Sequence, residues 1–442
     1  MSRMRSPRLI IERILGDPIA VVVLCGVALR IVVFFFLDPF NNDGPDHLEY
    51  VRYVSETRSF PPSGWNNQAY QPPLYYWIAS AFYTSMKDAK SVQVLSLFCS
   101  IATIVVYGSA LRGARTIHSH RARVWCAVFL SFCPQFVMFG LYVSNDSLAI
   151  LLGSMIALMV SRASLEAFDE KRLALAGLIG LGLLVKYTFI IHAVLLVIYG
   201  VIEMISKRAF GIRGVVSIVS TAAIISLFGN YKFYENYMNY KNIILCNLDF
   251  HPDWAENQKG TYRGIDSFLD CSIHKLIINP RFSDDTKRSL PLMLYGTLWY
   301  QHIGESNFRG SDRSDLKWIG SAIYLLGLVP VLMISAGVIV FFRDIGRYRY
   351  RSTGSSSISF LIAAFLGDVF LIAAAFLRYD VWSIMQARLL FPSIFGAVWL
   401  FRTTYQKIES HTRLIRCVDL ILSMITILFI VYFVSEVVHL VL

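Results

Sequence analysis

The chain has 442 residues, 55% of them hydrophobic and only 16% charged, with a mean hydropathy of +0.53 and a formal net charge of +11. These values exclude a soluble globular fold and leave an all-α polytopic membrane protein, because a bilayer-crossing helix needs about 20 mostly apolar residues and a backbone satisfied within itself. The positive charge is accounted for by topology and anionic inner-leaflet lipid, so it implies no nucleic-acid partner.

In chain order, eleven apolar windows read as spans, at approximately 18–37, 91–111, 124–142, 147–162, 173–186, 188–206, 212–230, 318–342, 357–377, 388–402 and 418–440. No small-residue cleavage site follows the first, which reads as an uncleaved span and not a removable signal peptide. The run ALAGLIGLGLLVKYTFIIHAVLLVIYGVI divides into two helices meeting at Lys186-Tyr187-Thr188. Arg3, Arg5, Arg8 and Arg13 place the N-terminus inside, and basic loops then recur on that side, at Arg112 to Arg123, Lys207 to Arg213, Arg343 to Arg351 and Arg402 to Arg416. The whole, 1–442, reads as one integral domain with two long outer segments, 38–90 and 231–316.

The first outer segment is expected to form two interfacial helices. Residues 43–57 place Leu48, Tyr50, Val51 and Val54 on one stripe and Asp46, Glu49 and Arg52 on the other. SFPPSGW interrupts them, and QPPLYYWIASAFYTSM resumes as an aromatic helix too short to cross, its prolines expected in the first turn. Tyr and Trp rings favour the lipid boundary, so both helices are expected to arch over the outer mouth of the bundle.

Polar residues near that mouth carry the chemistry. Asp43, in NDGPDH directly after the first span, has Asp46 and His47 within one turn and suits proton removal from a substrate lying at the lipid boundary. Arg388, Lys186 and Arg378 lie in or beside spans, where a charge is costly unless it faces a polar cavity or a partner, and they are candidates to hold an anion. Gln71, a further candidate to hold the anion, and Tyr70, a candidate substrate-site residue, sit in the Pro-Pro segment. Asp146 in SNDSL is either a substrate-site residue or a helix cap, with Asn145 and Ser144 as rivals for the cap. Trp299, His302 and Glu305 in LWYQHIGES either shape a substrate mouth or pack as interfacial residues. Arg30, inside the first span, either snorkels outward or pairs with an acid such as Asp368.

No HxxxH or CxxC pair occurs, so no metal site is assigned, although a divalent cation between Asp43, Asp46 and a lipid phosphate stays open. No GxxxxGK loop occurs either, which argues against nucleotide hydrolysis. Cys246 and Cys271 are open to bridging in an oxidising compartment, and the other five cysteines read as small buried apolar residues.

The ordered set formed by Asp43 with His47, then QPPLYYW, SNDSL, GLGLLVK, GTLWYQHIG and QARLLFP resembles polyprenyl-phosphate-sugar-dependent glycosyltransferases of the GT-C class. That class includes the protein O-mannosyltransferases and the lipid A aminoarabinose transferases. The resemblance runs along nearly the whole chain, but each motif is short, and their order carries it. It implies a hexosyl- or pentosyltransferase, inverting, in a bacterial plasma membrane, with a cytoplasmic N-terminus and its active site on the outer face. Asp43 would be the base, and the donor a polyprenyl-phosphate sugar. The acceptor would be a glycan, a lipid or a protein. QARLLFP resembles the class's GRYLLP-like motif, which implies that Arg388 meets the phosphate. The sequence departs from the class in two places: Gly44 stands where Glu is frequent, leaving Asp46 to supply the second carboxylate beside the catalytic candidates Asp43 and His47, and Gln71 stands where several relatives carry Lys, moving the load to Arg388 and Lys186. The rival readings are a transporter or flippase of a lipid-linked or anionic substrate, and a ligase or polymerase of lipid-linked polysaccharide.

Overall fold

The computed structural model describes residues 15–40, 43–113, 119–162, 170–206, 211–300, 316–347 and 353–441, and among them it contains helices, turns and loops but no strand. Eight helices are long and apolar enough to cross a bilayer, or nine if one bent pair counts as a single span. The expected eleven windows all fall on helices. Two of them, however, are short: Asp146–Arg162 has 17 residues and Glu170–Leu183 has 14.

The membrane elements used below are α1 (Pro18–Phe36), α4 (Ala89–Gly113), α5 (His120–Phe132), α6 (Pro134–Leu141), α7 (Asp146–Arg162), α8 (Glu170–Leu183), α9 (Ile190–Ser206), α10 (Ile212–Tyr240), α12 (Lys317–Arg347), α13 (Thr353–Tyr379), α14 (Ile394–Ile408) and α15 (Thr412–Val441). Outside them lie α2 (Gly44–Thr57), α3 (Leu74–Met86) and α11 (Leu290–Trp299). The two helices expected within 38–90 form, but the prolines precede α3 and do not sit in its first turn, Pro73 being its N-cap. Their aromatic faces meet each other: Tyr50 and Tyr76 stack with centroids 3.6 Å apart, and Tyr50, Tyr75 and Tyr76 are fully buried. α2 and α3 end at Arg58 and Lys87, each in the left-handed region at φ +57°.

α14 is the central strut of the bundle. Ten of its residues, from Ile394 to Tyr405, are buried, and close backbone approach is what lets its neighbours reach it. A side chain at Gly153 of α7 would collide with the Pro392 carbonyl, one at Gly337 of α12 with Leu400, and one at Gly396 with Leu361 of α13. The first of these contacts holds the segment just before α14, which carries Arg388.

α5 and α6 meet at an angle of 49° where Pro134 interrupts the ladder. Proline has no amide hydrogen to give to the carbonyl four residues back, and the turn around it opens. Arg30 supplies the missing donors. Its Nη2 donates to Leu130 O at 3.1 Å, its Nη1 to Ser131 O at 2.8 Å and its Nε to Ser100 Oγ at 2.9 Å. Arg30 is completely buried, so it neither snorkels nor pairs with Asp368, and backbone carbonyls take the place of the expected acid.

The run through Lys186 breaks as the sequence suggests. α8 ends at Leu183, Lys186 is extended (φ −155°, ψ 137°), and a 3₁₀ turn at Tyr187–Phe189 leads into α9. Leu74 N donates to the freed Leu184 carbonyl at 2.9 Å, which docks the Pro-Pro segment onto the break.

Between α10 and α11, Cys246 and Cys271 are both free thiols. Cys246 lies at the start of a helical turn whose Asp249 accepts from the Cys246 amide at 2.8 Å, while Cys271 borders an apolar cavity. The two cysteines serve different surroundings and no bridge forms.

Candidate active site

Four charged side chains from four distant segments meet at helix ends. Asp43 directly precedes α2. Asp146 is the first residue of α7, Lys186 sits in the break between α8 and α9, and Arg388 lies in the 3₁₀ segment Ala387–Ser393 that leads into α14. Asp43 pairs with Arg388 Nη2, and Lys186 pairs with Asp146 Oδ1. Arg388 Nη1 faces Asp146 Oδ2 at 3.7 Å. Asp146 therefore bridges the two cations, one on each carboxylate oxygen. The Asp146 and Lys186 side chains are only 3% and 7% exposed, against 21% for Asp43.

Hydrogen bonds among the motifs hold this arrangement. Asn145 Nδ2 donates to Gln71 Oε1 at 3.2 Å and to Val185 O at 2.9 Å, tying SNDSL to the Pro-Pro segment and to the α8–α9 break. Ala387 N donates to Thr297 Oγ1 at 2.8 Å and fixes QARLLFP on α11. Phe139, at the end of the bent pair, lies under the Arg388 guanidinium with 5.1 Å between Cζ and the ring centre, a cation–π geometry. Ser144 Oγ accepts the Asp146 amide at 3.2 Å. The capping role thus belongs to Ser144, and the Asp146 carboxylate is directed to Lys186 and Arg388.

His47, Tyr70 and Gln71 line the same place. His47 Nδ1 and Tyr76 Oη are 2.8 Å apart. Burial pushes the His47 imidazole down to about 4, against the pull of the nearby Asp43 and Asp146, so the ring is neutral near pH 7. Tyr70 takes the Gln71 amide on its hydroxyl at 2.6 Å, and burial raises its phenol well above the ordinary range. Gln71 thus occupies the position next to the cation pair as a neutral linker.

Other expected residues lie elsewhere. Arg378 pairs with Asp249 at 3.5 Å, is half exposed, and does not join Arg388 and Lys186. Asp46 accepts from Asn67 Nδ2 at 3.2 Å, and burial raises its carboxyl above the usual range. Asp43 and Asp46 therefore turn to different partners, and among the described residues no group of three or more His, Cys, Asp or Glu could hold a metal ion. Trp299 is buried between Phe129 and Phe429 and lines an apolar cavity of about 420 Å³ instead of the charged cluster. His302 and Glu305 fall outside the described residues. The sequence reading overlooked Tyr76 and Phe139, whose aromatic character alone does not mark a site. Asn145 carried a signal, as a buried amide flanking Asp146, but was read only as a rival cap.

Comparison with known proteins enters here. Residues 70–228 match the family model for dolichyl-phosphate-mannose-protein mannosyltransferase. None of the curated proteins is a significant sequence match. Among solved structures, ArnT from Cupriavidus metallidurans bound to undecaprenyl phosphate is similar at 13% identity, over 86% of this chain and 77% of that one, with a TM-score of 0.40. The apo oligosaccharyltransferase of Archaeoglobus fulgidus is similar at 11% identity, over 96% of this chain, with a TM-score of 0.45. The present chain spans 55% of that enzyme's length. Asp43 and Arg388 lie outside the matched segment, whereas Gln71, Asp146 and Lys186 lie within it. Through residues 70–228 the chain matches the GT-C class of polyprenyl-phosphate-dependent glycosyltransferases that its ordered motifs resemble.

Proposed function

We propose that this protein moves a sugar from a polyprenyl-phosphate donor to an acceptor hydroxyl at the outer face of the membrane. The observation that carries this reading is the cluster in which a partly exposed carboxylate, Asp43, pairs with Arg388, while Asp146 links Arg388 to the buried Lys186. Glycosyl transfer needs those elements side by side. Asp43 takes the acceptor hydroxyl proton, and the acceptor oxygen forms its bond to the anomeric carbon. The phosphate oxygen leaves with the bonding electrons and is held by Arg388 and Lys186. A single displacement of this kind inverts the anomeric centre.

The apolar cavity supports the lipid half of the donor. Ala387 and Leu390, either side of the Arg388 segment, line it together with Trp299, Phe365, Phe401 and Phe429. An isoprenoid tail in that cavity would run beside the segment that carries Arg388. A transport reading is less well supported, because the four charges gather at helix ends and not along a path through the bundle.

The test is incubation of purified protein with a radiolabelled polyprenyl-phosphate monosaccharide and an envelope extract. Release of polyprenyl phosphate together with label on an acceptor is the expected result. Movement of uncleaved donor between the leaflets of proteoliposomes, with no release of polyprenyl phosphate, would favour a flippase.

A further inference from the structure

Two groups that the proposed reaction needs for different tasks are bound to one another. Asp43 occupies Nη2 of Arg388, an edge of the guanidinium that a donor phosphate would need. Nη1 faces Asp146, and Nε is buried with no hydrogen-bond partner among the described residues. With Lys186 included, the two carboxylates and two cations sum to zero charge, so an arriving phosphate makes the cluster net negative unless one carboxylate gives way.

The two carboxylates are unequally exposed. Asp146 is 3% exposed, carries Lys186 on one oxygen and faces Arg388 with the other. Asp43 is 21% exposed, precedes α2 and makes no side-chain capping bond to it. Asp43 is the anion that can leave.

We propose that the donor's phosphate takes the place of Asp43 on Arg388, so that donor binding itself frees the base, while Asp146 keeps Arg388 and Lys186 together through the exchange. The proposal rests on reading Asp43 as the base and Arg388 as the phosphate ligand. A carboxylate paired with a guanidinium is a poor proton acceptor, because the neighbouring positive charge favours its ionised form. Once displaced, Asp43 regains basicity beside the seated donor. The acceptor proton then passes to Asp43 only when a sugar is in place to be attacked. With no donor bound, the base stays masked.

The exchange is read by binding of farnesyl phosphate to the purified protein in detergent, with farnesol as the uncharged control. Asp43→Asn and Asp43→Ala should each bind farnesyl phosphate about threefold or more tighter than the parent, because an apparent dissociation constant is the intrinsic one divided by the fraction already competent, here the fraction with Arg388 uncovered. Farnesol binding should not change. Equal or weaker farnesyl phosphate binding by both variants, in proteins that melt at the parent's temperature, overturns the exchange. If those variants also lose sugar transfer, the reading of Asp43 as base survives without the exchange. Retained transfer in either variant overturns the base reading, and the exchange with it.

Discussion

Asp43 and Arg388 stand 345 positions apart in the chain and share one ion pair. That pair closes the bundle's charged site between the end of the first span and the entrance to the buried strut α14. Arg388 has Phe139 against its guanidinium and Asp146 facing Nη1, and Asp43 is the more exposed member of the pair.

Replacing Asp43 by Asn keeps the shape of the side chain and removes its capacity to accept a proton. Sugar transfer should fall by about a hundredfold or more, the scale of losing a general base. The measurement is turnover with a polyprenyl-phosphate monosaccharide, made alongside a melting curve. A folded Asp43→Asn protein turning over at the parent's rate would remove Asp43 from the mechanism.

Arg388 is expected to act through its planar fork, since Asp43 and Asp146 engage separate terminal nitrogens. Arg388→Ala should weaken donor use strongly. Arg388→Lys should restore only part of it, because an ammonium is a point charge that cannot meet two acceptors in one plane. Donor saturation curves for the two variants decide the point: parental KM and kcat in both would mean that the phosphate is bound elsewhere.

Hydropathy made most of the membrane helices legible, because a helix in lipid must be apolar along its whole length and that requirement is written residue by residue. The order of the motifs was legible as well, and Asp43, Asp146, Lys186 and Arg388 were all marked in advance as charges at or beside span ends. What the sequence could not supply was which charge meets which. Arg378 and Arg388 look alike on the page, ten positions apart near the same end of adjacent spans. They separate only because the 3₁₀ segment turns Arg388 into the bundle, while Arg378, at the end of α13, reaches Asp249 in the segment between α10 and α11. The bridging role of Asp146 was hidden for the same reason, since it depends on a break in one helix meeting the start of another.

Arg30 shows a signal that was present but misread. A buried arginine suggests an acid, yet Pro134 in the third expected span already implied unpaired carbonyls, and those are its partners. Arg30→Met should therefore leave the Leu130 and Ser131 carbonyls without donors, at a cost of about 1–3 kcal/mol for each buried group left unpaired. The expected outcome is a clear drop in melting temperature in detergent, with Arg30→Lys falling between because it has fewer donors to distribute. An unchanged melting temperature in Arg30→Met would show that the bend at Pro134 needs no help.

His47 gives the protein a defined acid sensitivity. Burial lowers its imidazole to about 4, below the ordinary value near 6.5. Between those two values the unfolded chain binds the proton that the folded chain refuses, so the histidine's contribution to stability is complete above pH 6.5 and is lost as pH falls toward 4. At one unit per 1.36 kcal/mol, the full shift corresponds to about 3 kcal/mol. Asp46, whose carboxyl is raised, works in the opposite direction at the acid end, but it is common to parent and variant and cancels in their difference. His47→Gln cannot titrate, and its amide can still meet Tyr76. The stability of the parent relative to His47→Gln should therefore rise with pH from 4 to 6.5 and then level off, as read from paired melting curves; a difference that stays flat across that window would place the histidine in contact with water and outside the packed face shared by α2 and α3.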